Sequence, residues 1–213
     1  MILKKKFEMM LLAAAATLPM QSHAAEPSTT LVGALSSCQN NFFAMVGAKR
    51  DALEKLTTIK PISDAMAFIP VQDRVNEKAS VVQFSAPYQD GKVALTGYFD
   101  EIVDLATAGK YYSWGFLVHG NVRDVAKQLV PEIYEAGRLR KAGDVYVRSD
   151  VWKDGHWQKN DQLAGGTIPQ PGTVERVLLI EDAAPDFPGA VRVGCSLQGS
   201  VTVEMLKSER PDI

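Results

Sequence analysis

A chain with two cysteines, one near each end, has a single disulfide open to it, and that bond would decide which elements meet. Cys38 belongs to a run, Leu35, Cys38, Phe42, Met45, Ala52, Leu53 and Leu56, that recurs at three- and four-residue steps, as the buried face of an amphipathic helix does. Cys195 belongs to Val191, Val193, Cys195 and Leu197, which alternate at period two like one face of a strand. Both sulfurs are therefore expected in the core. A bridge between Cys38 and Cys195 would pin the first helix to the last strand and stabilise by roughly 4–5 kcal/mol by restricting the unfolded chain. Residues 25–213 are accordingly expected to form one cooperative α+β domain.

The bond requires an oxidising compartment, and the first 24 residues supply one. Lys4, Lys5 and Lys6 make a basic start, Phe7 to Leu18 is mostly apolar, and Ser22-His23-Ala24 ends in small residues that a signal peptidase accepts. About twelve apolar residues are too few to span a bilayer as a helix, for which ~20 are needed. Residues 1–24 thus read as a signal peptide, with the periplasm as destination and no integral membrane segment left after processing. Leu35-Ser36-Ser37-Cys38 has the outline of a lipobox. Its place is wrong, because Glu26, Pro27 and several hydroxyl residues separate it from the apolar stretch, and lipidation would orphan Cys195. No C-x-x-C pair argues for a redox centre.

Charge narrows the partners. The formal net charge is −2, and loss of the three leader lysines and Glu8 takes it to −4, so nucleic acid and anionic membrane surfaces are not expected as partners. A hydrophobic content of 46% suffices for a core without metal.

The expected order is helix, three strands, helix, then three or four strands, with the two helices packed on a mixed or mainly antiparallel sheet. The first helix runs near residues 30–57, and Pro61 and Pro70 interrupt the segment to Asn76. Val81–Tyr88 and Lys92–Phe99 flank Asp90-Gly91, a favoured type I′ turn, which would place Tyr88 opposite Val93 and Phe84 opposite Gly97. Tyr111–Val118 is a third strand. Asn121 caps a second helix carrying Val122, Val125, Ala126, Leu129, Val130 and Ile133 on one face, stopped by Pro131 or Gly137. Strands follow at Asp144–Lys153, His156–Asn160, Val174–Asp182 and Ala190–Leu206. The repeated order suggests two αβββ-like halves, about 25–119 and 120–213. Loops at Ala164–Gly172 and Ala183–Gly189 read as connections.

The sharpest local feature is the second hairpin. With Asp154-Gly155 at the turn, Trp152 stands opposite Trp157, Asp150 opposite Lys159 and Arg148 opposite Asp161. Two opposite-charge pairs mark this face as solvent-facing, so Trp152, Trp157, Arg148 and Lys159 are the candidate recognition patch. The same indoles could instead serve only to hold the hairpin together. No G-x-S-x-G, S-x-x-K, H-E-x-x-H or Walker motif occurs, and His119 and His156 are the histidines beyond the leader. His156 at a turn tip is expected in solvent, and Asp100-Glu101-Ile102-Val103-Asp104 reads as a polar strand end. No metal site and no cofactor are expected.

The chain is thus expected to be an exported binding protein that recognises a protein or an envelope component, an inhibitor or immunity protein being one form of that role. Catalysis is the weaker reading: an envelope hydrolase or isomerase with a dispersed site built from His119 and carboxylates.

Overall fold

The computed structural model describes residues 28–160, 169–183 and 185–213. Residues 1–27, where the signal peptide is expected, Asp161 with its expected pairing to Arg148, and most of the loop at 164–172 lie outside them. The N-terminal region folds as α1 (Leu31–Leu35), α2 (Asn41–Ala48) and α3 (Arg50–Leu53), followed by a two-residue ladder of β1 (Lys60–Pro61) and β2 (Ala67–Phe68). The single long helix expected over 30–57 is therefore broken. The Ser36 hydroxyl donates to the Gly33 carbonyl, competing with the helix ladder, and Cys38 takes a left-handed backbone (φ 55°) that ends it. The break turns Cys38 toward Cys195, and the two form the disulfide.

Eight strands make one antiparallel sheet: β3 (Val81–Asp90), β4 (Val93–Asp104), β5 (Lys110–His119), β6 (Arg140–Ala142), β7 (Val145–Lys153), β8 (His156–Asn160), β9 (Val174–Asp182) and β10 (Ala190–Gly199). Their order is β3-β4-β5-β10-β9-β7, with β6 and β8 sharing the outer edge of β7. Two meanders thus run inward from opposite edges and meet at β5 and β10. Helix α4 (Val122–Leu129) joins them, its Asn121 side chain accepting from the Asp124 amide, and α5 (Val203–Glu209) closes the chain. The sheet is antiparallel at every paired strand, where a mixed one was also open to the sequence, and among the described residues five α-helices stand where two were expected.

Alternation sorts the sheet into two faces. Val191, Val193, Cys195 and Leu197 of β10 lie beside Val118, Phe116, Trp114 and Tyr112 of β5, and this face is buried beneath the helices. On the other face Phe99 lies across Gly115 and Gly194. A Cβ at Gly194 would come within 2.5 Å of the Phe99 ring, so only glycine fits there. The Arg192 guanidinium covers that ring at 3.8 Å and pairs with Glu101 at 2.7 Å.

One register and several placements differ from expectation. The first turn is Gly91-Lys92, with Asp90 opposite Val93 and Tyr88 opposite Leu95, and a bulge between Gln83 and Tyr88 restores Gln83 to Gly97. Asp90 is not a turn residue because its carboxylate is buried, accepting the Leu31 amide at 3.0 Å and the Val32 amide at 2.9 Å. Burial pushes that carboxyl above its ordinary value, against the pull of the two amides. Asp100, expected at a polar strand end, is fully buried. Residues 200–206, expected to continue the last strand, instead enter α5, whose cap is the Thr202 hydroxyl accepting the Met205 amide. Val130 lies past the end of α4 and is exposed.

Candidate functional site

The second hairpin has the expected register: Trp152 faces Trp157 across β7 and β8, with ring centroids 5.2 Å apart, and Asp150 faces Lys159. Its environment is different. Arg148 and Asp150 are buried, at 2% and 5% exposure, and both indoles are half-buried, so the face expected in solvent lies largely inside the molecule. The physical reason is that several segments cover this face: Ser36 and Tyr134 meet Arg148, Arg138 meets Asp150, and α5 lays Glu209 over Trp157. Trp157 Nε1 donates to Glu209 at 3.1 Å, and the Arg176 guanidinium sits 4.5 Å from the Trp157 ring. Lys159 alone of the four candidates keeps a mostly exposed side chain.

Around the hairpin, charged groups form a lattice. Asp150 accepts from Arg138 at 2.8 Å and from Arg176 at 3.1 Å, and Arg176 reaches Glu209 at 3.6 Å. Arg138 also binds Glu135 at 2.6 Å and the Ser149 carbonyl at 2.6 Å, while Lys159 lies 3.7 Å from Glu135. The hydrogen bond from Arg138 holds the Glu135 carboxyl below its usual range. Arg148 has a different role. Its guanidinium donates to the Ser36 carbonyl at 2.6 Å and to the Tyr134 carbonyl, and stands 5.3 Å from the centre of the Tyr134 ring. Burial pushes Arg148 down to about 10, with Arg138 and Arg176 acting in the same direction and Asp150 opposing.

These contacts fix residues 131–138, a connection that has little regular structure and carries Glu135 in the left-handed region at φ 49°. Between this connection and residues 28–41 opens a groove of about 870 Å³. Both walls are tied together. The Thr30 hydroxyl donates to Glu132 at 2.7 Å, the Tyr134 amide donates to Ser36 Oγ at 2.8 Å, and Arg148 bridges the two segments from behind. The disulfide anchors the N-terminal wall to β10. Pre-formed walls lower the ordering cost that a ligand must offset.

Several polar groups at the groove have no protein partner among the described residues. The Ser37 hydroxyl donates to Asn41 Oδ1 at 2.8 Å, which leaves the Asn41 amide nitrogen with two donors facing outward from an exposed side chain. Thr30 donates to Glu132 Oε2, while Oε1 lies against Gly91 of the first hairpin. Gln39 and Thr29 are exposed, and Tyr134 presents 41% of its surface, the highest value among the exposed aromatics described. Residue spacing concealed this site, because Asn41, Glu132 and Tyr134 come from two segments that only the folded chain brings together.

His119 stands exposed at the end of β5, away from the groove, and His156 is exposed at its turn. Among the described residues no cluster of His, Cys, Asp and Glu is arranged to hold a metal ion, and no helix is long and apolar enough to cross a membrane. Comparison with protein families, with characterised proteins and with solved structures finds no match.

Proposed function

We propose that this chain is an exported binding protein that recognises an envelope component or a protein in the periplasm through the groove between residues 28–41 and 131–135. The groove carries the proposal: 870 Å³ of space with rigid walls and uncommitted hydrogen-bonding groups is the geometry of a binding site. Export is supported by the basic and apolar leader and by a disulfide joining two buried cysteines. In this reading Arg148 acts as a positioning residue behind Tyr134, and Trp152 and Trp157 anchor the C-terminal helix beside the site. The hydrolase or isomerase reading needs His119 in a cavity with a carboxylate, and it gains no such support.

Fractionation followed by affinity capture tests the proposal. The processed protein is expected in the periplasm with Ala25 at or within about two residues of its N-terminus, the usual uncertainty of a cleavage site. Immobilised in its oxidised form, it should retain an envelope component that Asn41→Trp, which fills the groove, fails to retain. Mature protein still bearing Met1, or equal capture by Asn41→Trp, would overturn it.

A further inference from the structure

The chemistry of the groove narrows what occupies it, and the geometry points to a neutral, polyhydroxylated ligand, a saccharide, lying against Tyr134. This inference rests on the groove being the binding site. Its open groups are of both kinds: the Asn41 amide nitrogen donates, the Glu132 carboxylate accepts, and the exposed Gln39 amide and Thr29 hydroxyl do both. The ammonium groups of a cationic peptide only donate. They would pair with Glu132 and leave the amide donors at the groove to backbone carbonyls alone. An acidic ligand would meet Glu132 as a like charge, and the nearby cations Arg138 and Lys159 are already engaged by Glu135. A sugar hydroxyl donates to a carboxylate and accepts from an amide at once, so it pairs with both.

Tyr134 supplies the remaining part. One side of the residue is held by Arg148, at 5.3 Å from the ring centre, and by its own backbone bonds to Ser36 and Arg148. The exposed part of the ring is therefore a fixed apolar platform at the edge of a groove that also carries polar groups. Pyranose rings have apolar C–H faces with hydroxyls at their rims, and an aromatic plane flanked by donors and acceptors matches that division. At 870 Å³ the groove has room for several sugar units.

The test is calorimetric titration of the processed, oxidised protein with a neutral N-acetylhexosamine tetrasaccharide, with tetralysine as the competing class. Saturable binding of the saccharide is expected. Tyr134→Ala should weaken it at least about tenfold and Asn41→Ala about fivefold, whereas Tyr134→Phe, which keeps the ring, should stay within about threefold. Unchanged melting temperatures for the three variants would place the losses at the groove. No saccharide binding, saccharide binding indifferent to Tyr134→Ala, or tetralysine binding in its place would each overturn the inference. Failure of the saccharide while capture remains blocked by Asn41→Trp would remove the ligand class and leave the groove as a binding site. Loss of groove-dependent capture as well would remove both.

Discussion

The covered face of the sheet is aromatic under the first meander and ionic under the second, and the two regions are ordered by different physics. Beneath β3, β4 and β5 the rings of Phe42, Phe43, Phe84, Tyr98 and Phe116 meet at centroid distances of 5.1–6.5 Å. Beneath β7 and β9 the same layer holds Arg148, Asp150 and Arg176, all at least nine-tenths buried. Dispersion and apolar burial depend on volume and tolerate many arrangements. Guanidinium–carboxylate contacts are directional, and each burial must be offset by good geometry. The ionic half is the one that positions irregular backbone, residues 131–138 and the C-terminal helix, and that backbone forms one wall of the groove. The aromatic half has one ionic square of its own, Arg74, Asp100, Arg210 and Asp212, built on β4, which does the same for the C-terminus: its four contacts of 2.6–2.9 Å hold Arg210 over Trp114.

The disulfide is the covalent tie between these regions, so its loss should have the largest effect. Cys195→Ala is expected to destabilise by roughly 4–5 kcal/mol, measured by chemical denaturation, because it releases a loop spanning most of the domain. A loss below about 1 kcal/mol would show that packing alone joins the N-terminal helices to the sheet.

Paired substitutions then separate the two kinds of order. Phe116→Ala should cost about 4 kcal/mol, and Phe116→Leu should recover most of that, because volume is what the site needs. Asp150→Asn should cost about 3 kcal/mol by leaving Arg138 and Arg176 short of a shared partner. Asp150→Glu should recover little, since the carboxylate must reach both guanidiniums at once. Full rescue by glutamate in denaturant melts would mean that the ionic half is as permissive as the aromatic one.

The same division sets how much of the molecule was legible in its sequence. Periodicity located both cysteines, the strands at 174–182 and 156–160, and the capped helix at Asn121, because each is governed by local spacing. The Asp154-Gly155 turn fixed its register correctly, both residues having positive φ. Asp90-Gly91 misled by the same rule, because Asp90 is claimed by the amides of Leu31 and Val32, far away in sequence. The faces of β7 and β8 were misjudged for a related reason. Charged pairs signal solvent only if nothing covers them, and α5, one of the segments that cover this face, was hidden inside what alternation read as strand. Thr202, three residues before Met205, was the capping signal that could have shown it. Of the groove, the sequence offered only Arg148.

Trp157 tests whether the hairpin is scaffold or contact surface. Trp157→Ala removes the bond to Glu209 and the platform beneath Arg176, and should cost about 2 kcal/mol of stability while leaving groove affinity within about twofold. An affinity loss of about 2 kcal/mol or more at unchanged stability would instead make the tryptophan pair a recognition surface.

The smallest effect compares two carboxylates three residues apart. Burial raises the carboxyl of Glu209, with Arg176 and the Trp157 N–H only partly opposing, whereas Arg210 and Arg74 hold Asp212 below its usual range despite burial. The signs are opposite. A raised carboxyl favours the fold most below its unfolded value, and that contribution is lost as pH rises through the folded one. A lowered carboxyl contributes above its unfolded value and loses that contribution as pH falls through its folded one. Falling pH between neutrality and the ordinary carboxylate range should therefore strengthen the docking of α5 while the Asp212 square stays intact, and only more acid conditions should open the square. Glu209→Gln mimics the protonated form and keeps an acceptor for Trp157. It should raise stability at neutral pH by less than about 1 kcal/mol, and the advantage over the native chain should fade as both are titrated to about pH 4. Thermal melts of the two proteins across that window decide it. A variant that is less stable at neutral pH would show that the 3.6 Å pair with Arg176 outweighs the cost of burying the charge.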